Sequence, residues 1–153
     1  MRILRLHLQN VHALRNQWTI QFDQFPLYEA GFFAITGPTG GGKSSLLDTM
    51  IVALYGRVPR YGHNTPTELM TRHTAETLVE LDFAVQQGCF RARWNLRRAR
   101  GQATGRVQPA RHELQNLDTN QTLDLRSSDV PKEVEKLTGL NMERFLRSVI
   151  LPQ

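Results

Sequence analysis

Charged and apolar residues alternate from the first positions of the chain. Ile3 shares one side with Arg5 and His7, while Leu4, Leu6 and Leu8 share the other, the period of two of a half-buried strand. Asn10-Val11-His12-Ala13 reads as a turn, and Trp18 to Phe22 alternates again, so the chain opens with an antiparallel pair. Beyond Pro26, Phe32-Phe33-Ala34-Ile35-Thr36 is a short unbroken apolar run, as expected of a strand covered on both faces. The period then lengthens. Leu47, Met50, Ile51, Leu54 and Tyr55 recur on one helical face, predicting a helix from Lys43 to Tyr55 bounded by Gly56 and Pro59.

Residues 57–66 (RVPRYGHNTP) form a loop punctuated by Pro and Gly, and a short TELMTR segment follows. From Thr77 the period of two returns. Val79, Leu81, Phe83 and Val85 oppose Glu80 and Asp82, and after a turn at Gln87-Gly88 the apolar set becomes Phe90, Ala92, Trp94 and Leu96. This predicts a β-hairpin, with a third strand near 109–117 beyond a loop (GQATGRVQ) expected to be mobile. Two helices close the chain. One spans 130–137, with Pro131 in its first turn and Gly139 past its end. The other carries Met142, Phe145, Leu146, Val149 and Ile150 on one stripe and ends at Pro152. The expected fold class is α/β: a P-loop core over 1–60 with a mixed sheet, an antiparallel β-layer over about 76–125 and a helical end over about 129–151, all one domain spanning 1–153.

Composition narrows the classes. A chain of 153 residues suits a single domain. No apolar run approaches the ~20 residues of a membrane span, and the N-terminus lacks the apolar stretch of a secretory signal. The lone Cys89 excludes an internal disulfide framework. A cytoplasmic protein without a membrane is expected. The net charge is +5, and of 19 basic residues only Lys43, Lys132 and Lys136 are lysines. The arginine excess fits a polyanionic partner and fits a compositional bias equally well. Its distribution says more. No acid lies between Phe83 and His112, a span that holds Arg91, Arg93, Arg97, Arg98, Arg100, Arg106 and Arg111. Such a ribbon is a candidate for tracking the phosphates of DNA. The competing reading is a solvated strand face paired with Glu80 and Asp82.

The candidate chemistry lies between strand and helix. Gly37-Pro38-Thr39-Gly40-Gly41-Gly42-Lys43-Ser44 satisfies G-x-x-x-x-G-K-[ST] in full. Glycines allow backbone N–H groups to close on an anion at the helix N-terminus. Lys43 is placed to reach the β- and γ-phosphates of a nucleoside triphosphate, and the Ser44 hydroxyl to ligate Mg2+. Hydrolysis also needs an acid behind a buried apolar strand. The nearest match, Leu78-Val79-Glu80-Leu81-Asp82, alternates instead, so Asp82 is expected on a one-sided antiparallel strand. No N-K-x-D motif or second Gly-rich signature loop occurs.

MRILRLHLQNVHALRNQWTIQF, FAITGPTGGGKSSLLDTMIVALYGRVPR, ELMTRHTAETLVELDF and RFLRSVILPQ resemble the N-terminal head segment of the SbcC family, SMC-like relatives of the ABC ATPases. The resemblance is weakest across 100–128. It implies an ATPase head split between the ends of a long polypeptide, with the signature motif, Walker B acid and switch histidine in a C-terminal lobe beyond a coiled coil. It implies ATP and Mg2+ as ligands. As partners it implies that C-terminal lobe, a second head, the SbcD nuclease and double-stranded DNA. Gly37 through Ser45 would form the phosphate cradle, and Gln153 would match the glutamine that meets Mg2+ and orients the attacking water. His12 falls where relatives place a basic or polar residue near the phosphates, and some of them carry arginine there. The family usually has Ala or Ser where Gly41 stands, a difference expected to leave binding intact. On this reading the chain alone has little ATPase activity. A self-contained P-loop kinase of a small metabolite, and a DNA-binding module with a structural P-loop, are the alternatives.

Overall fold

The computed structural model describes residues 1–30 and 34–149. Strands β1 (Arg2–Val11), β2 (Leu14–Gln21), β3 (Glu76–Val85), β4 (Gly88–Arg97), β5 (Arg111–Asn116) and β6 (Gln121–Thr122) form one sheet in the order β2-β1-β3-β4-β5-β6. Every pairing is antiparallel. The helices are α1 (Lys43–Tyr55), α2 (Thr65–Leu69), α3 (Val130–Thr138) and α4 (Met142–Val149). A 3-10 segment, Pro59–Asn64, joins α1 to α2.

The alternation in the sequence sets the register. Val79 faces Trp94, Leu81 faces Ala92 and Phe83 faces Phe90 across the β3–β4 hairpin. Directly opposed residues share a face, so these side chains make one apolar floor with Leu6 and Leu8 of β1 and Leu114 of β5, all buried. The hairpin turns at Gln86-Gln87, one residue before the expected position, because Val85 still pairs with Gly88.

On this floor lies α1, packed against β1, β3 and β4 and covered by α3. The expected single apolar stripe is too narrow a description. Every residue from Thr49 to Tyr55 is buried, since both the sheet and α3 pack against the helix. Gly56, at φ 70°, ends the helix with its N–H on the Val52 carbonyl at 2.8 Å. The buried imidazole of His112 donates from Nε2 to the Ala53 carbonyl at 2.7 Å, satisfying a last-turn acceptor that the helix leaves open. Burial pushes the His112 pKa down, against an opposing contribution from that bond.

The C-terminal helices match their sequence signals. Gly139 caps α3 at φ 69°. Phe145 of α4 is fully buried, with its ring centroid 5.8 Å from that of Tyr55. The Tyr55 hydroxyl donates to the Leu140 carbonyl at 2.9 Å, and burial, with Glu135 nearby, pushes its pKa up to about 12. Ile150 and the Val149 side chain lie outside the described residues. The GQATGRVQ loop is tied by backbone bonds, Ala99 N–H to Arg106 and Gly105 N–H to Gln102, at 2.8 Å each.

One element differs from expectation. Of the apolar run at 32–36, Phe32 and Phe33 lie outside the described residues, while 34–36 are unpaired and Ile35 is 45% exposed. A strand buried on both faces needs a neighbour in the sheet and cover above and below. Among the described residues no strand runs parallel to this segment, so the sheet is antiparallel and not mixed.

Candidate functional site

The segment from Gly37 into α1 forms an open loop whose main chain closes on itself through Gly41 N–H to the Pro38 carbonyl at 3.1 Å. Gly40 and Gly42 adopt left-handed φ values of 83° and 88°, conformations that glycine takes without a Cβ penalty. At Gly42 a Cβ would also meet Leu14 Cδ2 at 3.0 Å. The first α1 bond runs from Leu46 N–H to the Gly42 carbonyl at 3.0 Å. The amides of the preceding residues are the ones a helix leaves without intrahelical acceptors. Lys43 arches back over the loop, donating from Nζ to the Gly37 and Pro38 carbonyls at 2.7 and 2.8 Å. Its charge and the positive end of the helix dipole therefore address the same small region.

Ser44 is exposed in the first turn, whereas Ser45 is buried and its carbonyl accepts the Thr49 hydroxyl at 2.5 Å. The exposed Ser44 hydroxyl fits Mg2+, a cation that keeps several waters and takes few protein oxygens beside phosphates. Thr39, like Pro38 and Gly40, is exposed on the loop.

His12 stands beside this first turn. Its φ is 50°, its N–H donates to the Leu69 carbonyl at 2.9 Å, and its carbonyl accepts the Thr71 hydroxyl at 2.8 Å. Two residues on, Leu14 touches Gly42 as above. The His12 ring contacts a group that the helical stripe did not single out. Nε2 lies 3.3 Å from Oδ2 of Asp48, which is 6% exposed on α1. Arg60 is ion-paired to the same oxygen, and the Tyr61 hydroxyl reaches it at 3.5 Å. Burial foremost, then the Asp48 charge, raises the Tyr61 pKa. A single acid in the apolar run LLDTMIVALY is the signal that marks Asp48: a charge there requires partners.

The arginines divide into two groups. On the polar face of the sheet Arg91 grips Asp82 with Nε on Oδ1 at 2.6 Å and Nη2 on Oδ2 at 2.8 Å. That bond is the main cause of the raised Arg91 pKa. Arg5 reaches Asp82 at 3.4 Å and Glu80 at 3.5 Å, and Arg93 reaches Glu80 at 3.5 Å. Asp82 is thus bound up in a sheet-face lattice. Arg91 and Arg93, expected in the ribbon, are engaged by acids drawn from β3. Arg97 pairs loosely with Glu76 at 3.7 Å and stays 66% exposed. It neighbours an open groove lined by Gln9, Asn10, Glu76 and Arg98. Arg98 donates to the Gly105 carbonyl at 3.1 Å and buries an unpartnered Nε. Arg100, Arg106 and Arg111 are exposed. Trp94 is 2% exposed and belongs to the core. Gln153 lies outside the described residues.

A family model described as AAA domain matches residues 5–151. The chain is 37% identical to the SbcC subunit of nuclease SbcCD from Pseudomonas aeruginosa, over all of this chain and 14% of that protein. The corresponding SbcCD nuclease subunit of Bacillus subtilis is also 37% identical, over all of this chain and 13% of that protein. A probable DNA double-strand break repair Rad50 ATPase of Aquifex aeolicus is 31% identical, again over all of this chain and 14% of that protein. The chain therefore spans about a seventh of the length of these relatives. Among solved structures, the SMC head domain from Thermotoga maritima superposes with a TM-score of 0.55 at 17% identity, covering 87% of this chain and 42% of that one, a likeness of fold.

Proposed function

Since the chain belongs to the AAA domain family and corresponds to the N-terminal segment of SbcC-type subunits, we propose that it is the ATP- and Mg2+-binding half of an SbcC-like ATPase head. The observation that carries this reading is the loop of Gly37–Lys43 at the start of α1, where Lys43 Nζ lies 2.7 Å from the Gly37 carbonyl and helix-start amides converge with it. Main-chain donors and a lysine that forms no ion pair among the described residues suit the tail of a triphosphate. Pro38, Thr39, Gly40, Gly41 and Gly42 shape the loop, and Ser44 holds Mg2+, which when bound offsets phosphate charge.

In the longer protein, Gln153 and a C-terminal lobe complete the hydrolytic centre, and a second head closes over the nucleotide. ATP-driven engagement of the heads then governs access of duplex DNA to the SbcD nuclease. Arg97, Arg98, Arg100, Arg106 and Arg111 contribute DNA phosphate contacts. Among the described residues no helix is long and apolar enough to cross a membrane.

Calorimetric titration with Mg2+ and ATP tests the site. The wild-type chain binds, and Lys43→Ala does not. Mixing the chain with a C-terminal head segment should then produce ATPase activity that neither piece has alone. Steady turnover by the chain alone, lost in Lys43→Ala, would refute the division of the head. Duplex DNA binding indifferent to both ATP and Lys43→Ala, without any nucleotide binding, would favour a DNA module with a structural P-loop.

A further inference from the structure

Among the large apolar side chains open to solvent, Trp18 is 53% exposed. Apolar residues scattered singly over a surface need no explanation. Trp18 differs in where it stands. In the β1–β2 register it opposes Leu8, which is fully buried in the floor beneath α1, and directly opposed residues share a face. Trp18 therefore belongs to the α1 side of the sheet. It stays open because β2 is the edge strand, whereas α1 packs on β1, β3 and β4.

The same strand begins at the P-loop. Leu14, which opposes the buried Val11, has Cδ2 3.0 Å from where a Cβ of Gly42 would be. Trp18 lies four residues further on, at most about 13 Å along the strand at ~3.3 Å per residue. Asn16, at φ 64°, bends the path between them. The indole leans back over this interval, since its Nε1–H donates to the Arg15 carbonyl at 2.8 Å. That bond draws the N–H edge toward the start of the strand. It also occupies the ring's one polar group, so Trp18 offers a ligand π surface and no free donor. A nucleotide with its β- and γ-phosphates among the glycines carries its base beyond the α-phosphate and ribose, a span of the same order. Strand β2 provides an aromatic ring at that reach, on the helix side of the sheet.

We propose that Trp18 is the platform on which the base of the bound nucleotide stacks, which makes β2 a second wall of the nucleotide site. The inference deepens the nucleotide reading above and rests on it. Stacking needs only the π face that every base has, and it tolerates a change of base. No hydrogen bond to the base edge is assigned.

Inorganic tripolyphosphate separates the two walls, because it carries the phosphates without a base. In calorimetric titrations with Mg2+, Trp18→Ala should bind ATP roughly tenfold more weakly, the order found when an aromatic stacking partner is removed, and tripolyphosphate within about twofold of the unaltered chain. Trp18→Phe should retain most of the ATP affinity. Unchanged ATP affinity in Trp18→Ala, or equal losses for ATP and tripolyphosphate, would overturn the proposal. Fluorescence of the unaltered chain gives a readout that needs no variant. Of its two tryptophans, Trp18 and Trp94, the latter is sealed in the core at 2% exposed. Saturating ATP should alter the exposed emission and shield it from iodide quenching, and tripolyphosphate should do neither. Emission and quenching indifferent to ATP would overturn the stacking. Failure of both ATP and tripolyphosphate to bind, or binding of both untouched by Lys43→Ala, would instead remove the P-loop reading itself, and so is told apart from a failure at Trp18.

Discussion

Replacing Arg91 with alanine separates the two readings of the arginine ribbon. In the structure Asp82 is 5% exposed, and Arg91 supplies the bond to its Oδ1 at 2.6 Å and the shorter of two bonds to its Oδ2 at 2.8 Å. Without Arg91, Oδ1 loses that donor and Oδ2 keeps Arg5 at 3.4 Å. Each hydrogen bond to a charged group contributes about 1.5–3 kcal/mol. The Arg91 side chain is 28% exposed, so water recovers part of the loss, and a net cost of about 2 kcal/mol is reasonable. For a chain of this size that corresponds to a fall in Tm of about 4–8 °C. Urea titration followed by circular dichroism should show the midpoint falling with the m value unchanged. Duplex DNA binding measured across a salt series should keep its slope in Arg91→Ala. Arg100→Ala should behave oppositely: unaltered stability, and a slope shallower by about 0.9 for one lost phosphate contact. A stable Arg91→Ala with a shallower salt slope would refute the pairing of this face.

Two further expectations concern the end of α1. The His112 pKa is lowered on folding, first by burial, so the unfolded chain takes up the proton at higher pH than the folded one. Stability is therefore full above the ordinary histidine range and declines as pH falls below about 6.5. Urea midpoints taken between neutral and mildly acidic pH should fall with acid, and the fall should flatten in His112→Gln, which can still donate to the Ala53 carbonyl. Gly56→Ala should cost about 1–2 kcal/mol, because φ is 70° and the new Cβ would sit 3.1 Å from His112 Nδ1. Wild-type stability in that variant would contradict the tight approach of β5 to the helix end.

Much of the fold was legible because alternation and capping are local. The hairpin of β3 and β4, the limits of α1 and the Gly139 stop followed from spacing and from residues that tolerate left-handed backbone. The P-loop was equally plain, since its chemistry depends on glycines and a lysine at fixed intervals. Asp48 was less so. A periodicity search collects the apolar face and passes over one acid, although that acid's isolation among apolar residues was a usable signal. Which arginines are paired was hidden for a related reason. The run from Phe83 to His112 contains no acid, but a strand is neutralised by its neighbour across the sheet, and register brought Glu80 and Asp82 opposite Arg93 and Arg91.

By itself the sequence determined the local conformations and the phosphate-binding loop, because backbone preference and hydrophobic period act over a few residues. The tertiary structure decided which charges meet. It bound Arg91 into the sheet, left Arg97, Arg100, Arg106 and Arg111 open to solvent, and assembled His12, Asp48, Arg60 and Tyr61 from three separated stretches. Electrostatic contacts depend on distance in space, and residues 12, 48 and 60 become neighbours only when β1, α1 and the 3-10 segment pack together.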